Sequence, residues 1–468
     1  MAGIGFTLKK LTRKDDLFGV VHAYGSAILA SAGPWIFTVI TLAGITNLYS
    51  NFFAMEGLLN FRVIVIYNFA FSLVLSAPVF MVATRYVADQ IHSHNVTNVP
   101  SVMIGSMLML YSIQFPIVSL FYFGYVDEYL GLQISAVINV LLLTTVWLLG
   151  VFLTALKDYN AVSAAYAIGM VISIVMAQIL KDEQIAAQLG YAGHEDAGML
   201  NGFSMGLAFI VFSLAAKVFS EYSYKFSQPF AIRPYFKKYW EIALGGFLYN
   251  AAIWVDKWIM WFADESWILD NGLRMYPDYD SATFMAYLTI VPAMGVFMFS
   301  VETNFFEKYQ RFYDGILEHK PLRKIKEYQQ AVMDSIANSA RNFIVVQGTI
   351  AFLCIMLAPQ IFEFINATFT QVGMFRIATL GAFFHVLLLF AMIVLSYFDS
   401  RRTVLWLGGI YFLLNTIFTL ITLELGFPYY GYGYFLSSMI IFVVTILLLF
   451  RYVRDLPFHA FVTTNSSL

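Results

Sequence analysis

The chain has 468 residues, 60% hydrophobic, 18% aromatic and only 12% charged, with a net charge of −2 and a mean hydropathy of +0.72. A soluble domain carries about 25% charged residues, so this composition excludes a water-covered surface, and the near-neutral balance excludes a basic nucleic-acid binder. A single cysteine, Cys354, excludes an intramolecular disulfide.

The opening MAGIGFTLKKLTRKDD is polar and basic, with no small-residue cleavage site before the first apolar run. Residues 1–19 therefore read as a retained cytoplasmic amphipathic lead rather than a signal peptide. Apolar runs of membrane-crossing length follow at 20–47, 61–84, 101–124, 130–155, 159–180, 199–220, 241–262, 282–303, 343–366, 373–398, 403–424 and 430–451. The pattern predicts an all-α polytopic membrane protein with twelve transmembrane helices. The connections sort by charge: twenty-two of the 27 basic residues fall on one side, from Lys9, Lys10, Arg13 and Lys14 to Arg451 and Arg454. Arg62, Lys181, Arg274 and Arg376 fall on the other, and Lys257 lies inside a span. The positive-inside bias puts both termini in the cytoplasm.

The basic connection Arg233–Lys238 follows the sixth span and divides the chain into an N-terminal lobe (20–220), a linker (221–240) and a C-terminal lobe (241–451), with a tail at 452–468. Six spans per half give both halves one orientation, so any repeat is parallel, about an axis along the membrane normal. The longest gap, 304–342, mixes basic and apolar residues and suits either amphipathic helices on the inner leaflet or a partner-docking surface.

Function should reside where polar chemistry interrupts apolar spans. Discontinuous helices mark transporter sites, and Gly33-Pro34, Pro78, Pro116, and Pro292 with Gly295 interrupt their spans. Proline is also simply tolerated in membrane helices. Charges are more informative, because one at mid-bilayer costs roughly 3 kcal/mol even on insertion scales. In WVDKWIMW (Trp254–Trp261), Asp256 and Lys257 are sequence neighbours, so their side chains leave the helix about 100° apart and each is expected to seek another partner. Trp254, Lys257, Trp258 and Trp261 share a face at spacings of 3, 4 and 7 that could stack on sugar rings, with an interfacial aromatic belt as the plainer reading. Tyr249 and Asn250 would extend a polar stripe, and Glu302 at the end of span eight is a gate or a helix-end charge. His385 reads as a hydrogen-bonded core histidine before a proton relay.

An enzyme is disfavoured. Asp278–Asp280 (DYD) has the carboxylate spacing with which glycosyltransferases hold a divalent metal, but the charge bias puts it outside, away from nucleotide sugars. No Walker A, HExxH or paired-cysteine pattern occurs, and no cofactor or metal is expected.

Four stretches carry a resemblance: MAGIGFTLKKL, SAGPWIF (Ser31–Phe37), WVDKWIMWF (Trp254–Phe262) and YDSATFMAYLTIVPAMGVFMFSVETNFFEKY (Tyr279–Tyr309). They resemble the inner-membrane transporters of Pel exopolysaccharide systems, the PelG family, a branch of the MOP flippase superfamily. The resemblance implies two six-helix lobes, a central cavity and alternating access in a bacterial inner membrane. It implies as substrate a galactosamine-type polysaccharide moving from cytoplasm to periplasm. As partners it implies a cytoplasmic glycosyltransferase and the membrane subunits of a cyclic-di-GMP-controlled synthase. It transfers no site residues. The expected substrate path is Asp256, Lys257, Trp254, Asn250, Tyr249 and Glu302; the expected kinks are Gly33, Pro34, Pro78, Pro292 and Gly295. Alternatives are an ion-coupled lipid-linked oligosaccharide flippase, a multidrug exporter, or a non-transporting scaffold for a glycosyltransferase.

Overall fold

The computed structural model describes residues 17–50, 55–156, 159–190, 193–222, 226–365 and 368–462. The lead 1–16, Lys157, Lys225 and the last six residues of the tail lie outside them. The chain is almost wholly helical, as it must be where lipid offers backbone groups no hydrogen bonds. In order come α1 (Leu17–Ser50), α2 (Met55–His92), α3 (Val99–Gly124), α4 (Leu130–Leu156), α5 (Tyr159–Leu180) and a short α6 (Glu183–Leu189). Then follow α7 (Glu195–Glu221), α8 (Arg233–Lys238), α9 (Trp240–Met260) and a two-stranded hairpin of β1 (Trp267–Ile268) and β2 (Arg274–Met275). The remainder is α10 (Pro277–Leu288), α11 (Val291–Ser300), a π-helical turn (Val301–Phe305), α12 (Phe306–Leu317), α13 (Leu322–Met356), α14 (Ala358–Phe364), α15 (Thr370–Tyr397), α16 (Arg401–Leu425), α17 (Tyr432–Arg454) and α18 (Leu456–Val462).

Among the described residues ten helical segments are long and apolar enough to cross a membrane, α10 and α11 together forming one. The 34-residue α1 and the 21-residue α9 also have the length to cross, which is compatible with twelve spans. Within each packing unit, contacts join loops that the charge bias assigns to one side. On the basic side Tyr239 donates to Asp89 at 3.0 Å and Tyr309 to the Tyr397 carbonyl at 2.9 Å. On the other side the Asp127 amide donates to the Asn271 carbonyl at 3.1 Å, and Gln371 to Asp278 at 2.8 Å.

Packing divides the chain into two units: Gly33–Trp254 with Trp261–Tyr276, and Met1–Ala32 with Val255–Met260 and Pro277–Leu468. Their edges fall inside α1, at Gly33, and inside α9, at Val255, rather than at the linker 221–240. In the first unit α5 and α7 meet through small residues. A Cβ on Gly202 would lie 2.6 Å from the Ala177 backbone, and one on Gly206 would collide with Ser173 Oγ and the Gly169 carbonyl. Apolar side chains gain nothing by leaving lipid for one another, so such close backbone approach supplies the association instead.

The proline expectations resolve differently at each site. α1 and α2 run unbroken through Pro34 and Pro78, with Thr38 Oγ1 donating to the Pro34 carbonyl at 2.8 Å. The eighth span is discontinuous: α10 stops at Leu288, and α11 restarts with Pro292 in its first turn, where a missing N–H leaves no hydrogen bond unmade. Gly295 is a contact glycine, since a Cβ there would collide with Ile28 Cγ1. The 304–342 connection is not a loop. It is α12 and the first half of α13, a 35-residue helix about 52 Å long, well over the roughly 30 Å of a bilayer core.

Candidate functional site

α9 runs apolar from Trp240 and carries its charge pair near its end. Asp256 is 0% and Lys257 8% exposed, so both charges are out of water. The expectation that they do not face each other is corrected here, while the further partner expected for each is present. Lys257 Nζ folds back onto its neighbour, 3.1 Å from Oδ1 and 3.0 Å from Oδ2 of Asp256. A four-carbon stem spans the 100° that separates the two Cβ directions. Tyr279 of α10 donates a further hydrogen bond to Asp256 Oδ2 at 3.0 Å.

Aromatic groups complete the enclosure. The Lys257 ammonium lies 5.0 Å from the Tyr287 ring centroid and 5.4 Å from that of Tyr434, within range of a cation–π attraction. Tyr434 Oη is 2.9 Å from Nδ1 of His385, and Tyr411 Oη is 3.1 Å from Ser438 Oγ. His385 is thus tied into a network, as a core histidine should be. The cluster Asp256, Lys257, Tyr279, Tyr287, His385, Tyr411 and Tyr434 draws on α9, α10, α15, α16 and α17, all within the second packing unit. A buried ion pair needs its remaining lone pairs and protons satisfied, and here tyrosines supply the partners. Sequence reasoning found the pair and missed the tyrosines; the aromatic-rich run YYGYGYF (Tyr429–Phe435) was the nearest signal.

Tyr249, Asn250 and Trp254 belong to the first packing unit. Asn250 donates to the Gly246 carbonyl of its own helix at 2.8 Å, Tyr249 is half-buried, and Trp254 Nε1 is buried with no hydrogen-bond partner among the described residues. The shared aromatic face ends early, because α9 stops at Met260. Trp261 lies beyond that end and stacks on Tyr67 at 4.4 Å. Glu302 sits in the π-helical turn, and its side chain is outside those described.

A second polar group lies on the sparsely basic side of the first unit. The hairpin's Asn271, 2% exposed, donates to Glu128 Oε1 at 3.2 Å and to Asn60 Oδ1 at 3.2 Å. Asn60 in turn donates to Glu128 at 2.9 Å and to Asp196 at 3.4 Å. Glu128 lies in a loop, and burial, opposed by the Asn271 hydrogen bond and aided by the Asp196 charge, raises its pKa above the ordinary glutamate value. The strands are two residues each, too short to show an alternation; the one sequence signal for the hairpin is Asn271-Gly272 between them, with Gly272 at φ +83°. The DYD carboxylate at Asp278 accepts hydrogen bonds from Gln371 and Thr370, and no cluster of three or more metal-ligating side chains occurs among the described residues.

The fold is matched by solved membrane transporters. A MOP superfamily transporter from Pyrococcus furiosus is 12% identical, with a TM-score of 0.64 over 93% of this chain and 96% of that one. A multidrug-resistance MATE transporter of the same superfamily, outward-facing, is 15% identical with a TM-score of 0.62 over 92% and 96%. An inward-facing MATE transporter gives 14% and 0.62 over 94% and 100%. The fold is therefore that of the MOP superfamily of transporters, in a multi-pass membrane protein. No curated protein matches the chain. A family model for exopolysaccharide exporters (EPS-E) matches residues 1–461, and the chain belongs to that family, PelG.

Proposed function

We propose that this protein moves a galactosamine-type polysaccharide across a bacterial inner membrane, working with a cytoplasmic glycosyltransferase and the membrane subunits of a cyclic-di-GMP-controlled synthase. Family membership supports export of an exopolysaccharide. The observation that carries the site is the buried pair Asp256–Lys257 within a ring of tyrosines. Sugar rings are recognised by aromatic faces together with hydrogen-bonding groups, and a neutral N-acetylated hexosamine suits a site of balanced charge. On opening, Asp256 accepts from sugar hydroxyls or amides while Lys257 is held by the tyrosines. Trp254, Asn250, Tyr249 and Glu302 remain candidates for the rest of the path, and Gly33, Pro34, Pro78, Pro292 and Gly295 for its hinges.

Secretion by cells carrying Asp256→Asn tests this, with membrane level and glycosyltransferase co-purification measured alongside. Lost secretion at normal level and normal partner binding supports the reading, and undiminished secretion removes Asp256 from the path. The fold shared with MATE transporters favours one second reading, an ion-coupled flippase or drug exporter. In that case collapse of the proton or sodium gradient stops transport while polymer synthesis continues.

A further inference from the structure

The basic end of α17 carries a feature outside the proposed path. Met333 of α13 and Leu447, Phe450, Arg451 and Arg454 of α17 line a groove of about 430 Å³. Gln329, one turn before Met333, fixes its end by donating to the Val453 and Arg454 carbonyls at 2.9 and 2.6 Å. These are the carbonyls that would otherwise present negative partial charge at a helix C-terminus, so the capping removes an obstacle to an anion. Among the described residues the Arg451 guanidinium has no hydrogen-bond or ion-pair partner, and Arg454 is held only loosely, 3.6 Å from Asp455.

The apolar surface below the arginines is ordered by helical spacing. Val443, Leu447 and Phe450 are 46%, 63% and 51% exposed and lead at intervals of four and three residues to Arg454. Val444 and Leu448, 37% and 38% exposed, lead in the same way to Arg451. Two apolar tracks, each ending in a guanidinium at the membrane's basic face, match the two chains and single phosphate of a diacyl lipid. Arginine binds phosphate through a planar fork of donors, and basic pockets between helices on this face of a membrane hold anionic headgroups.

We propose that this groove is a binding site for an anionic phospholipid, with Arg451 and Arg454 on the phosphate and the two tracks against the acyl chains. The test uses the purified full-length protein, delipidated in detergent and titrated with phosphatidylglycerol, bound lipid being counted by native mass spectrometry against phosphatidylcholine. Arg451→Gln with Arg454→Gln should weaken phosphatidylglycerol binding about thirtyfold, from about fivefold per charge. Arg451→Lys with Arg454→Lys should keep most of it, and both variants should elute as the parent on size exclusion. Arg323→Gln with Lys326→Gln, equally cationic but on α13, should leave binding unchanged. Equal loss in the two glutamine pairs would mean general attraction to negative charge and would overturn the site, as would unchanged binding in Arg451→Gln/Arg454→Gln. Displacement by excess inorganic phosphate would make it a free-phosphate site and not a lipid one.

Discussion

Removing Lys257 alone separates an ion pair from a coincidence of neighbours. Lys257→Met takes away the ammonium that meets both Asp256 oxygens at 3.0–3.1 Å, leaving a carboxylate 0% exposed that keeps, among the described residues, the Tyr279 hydroxyl at 3.0 Å. Breaking one side of a buried pair costs about 3–5 kcal/mol, whereas replacing both partners by neutral groups of similar volume is often neutral or stabilising. Folded proteins hold only about 5–15 kcal/mol in reserve, so the single variant should unfold at markedly lower temperature. The double variant Asp256→Asn/Lys257→Met should recover most of that loss, a coupling of several kcal/mol in a double-mutant cycle. Thermal unfolding in detergent, followed by fluorescence-detected size exclusion, reads all three proteins. A Lys257→Met protein as stable as the double variant would refute the argument. The same double variant divides structure from transport: it should be present at normal level yet secrete no polymer, and normal secretion would make the pair purely structural.

Gly206→Val should destabilise by about 1–3 kcal/mol or more through overpacking, because the added Cβ meets Ser173 and the Gly169 carbonyl below contact distance. Gly150→Ala, with nothing within 4 Å, is the control in the same melting experiment. Because its folded pKa is raised, Glu128 contributes stability that is full below the ordinary glutamate range and lost as pH rises through the folded value. Proteolysis of the 261–276 segment should therefore quicken as pH rises through that window, and Glu128→Gln should flatten the dependence. Asp278→Ala should lower stability by roughly the 1.5–3 kcal/mol of hydrogen bonds to a charged group while leaving secretion insensitive to manganese or magnesium chelation. A chelator effect that vanished in this variant would revive the metal reading.

The spans were legible because a lipid-facing helix must be apolar along its whole length, a property each segment carries alone. The side expected for each loop rests on a charge bias that is also local, and the contacts Tyr239–Asp89 and Asn271–Asp127, both within the first unit, are compatible with it. The break in the eighth span was marked by Pro292, though not its position at Thr289–Ile290, between α10 and α11.

The sequence alone determined the class, an all-α membrane protein with a charge pair in its seventh span, since composition and hydropathy are sums over single residues. It also held the family resemblance, in motifs spread from the N-terminal lead to Tyr309. Only tertiary structure decided that Lys257 turns to Asp256 and that Tyr279, Tyr287 and Tyr434 close around them, because these side chains come from three helices and no periodicity links them. It likewise decided that Trp261 stacks on Tyr67 instead of extending the Trp254 face, for a helix end at Met260 rotates every later side chain out of register. Packing edges inside α1 and α9 had the same origin: a unit is defined by which surfaces touch, and hydropathy says only that a surface avoids water.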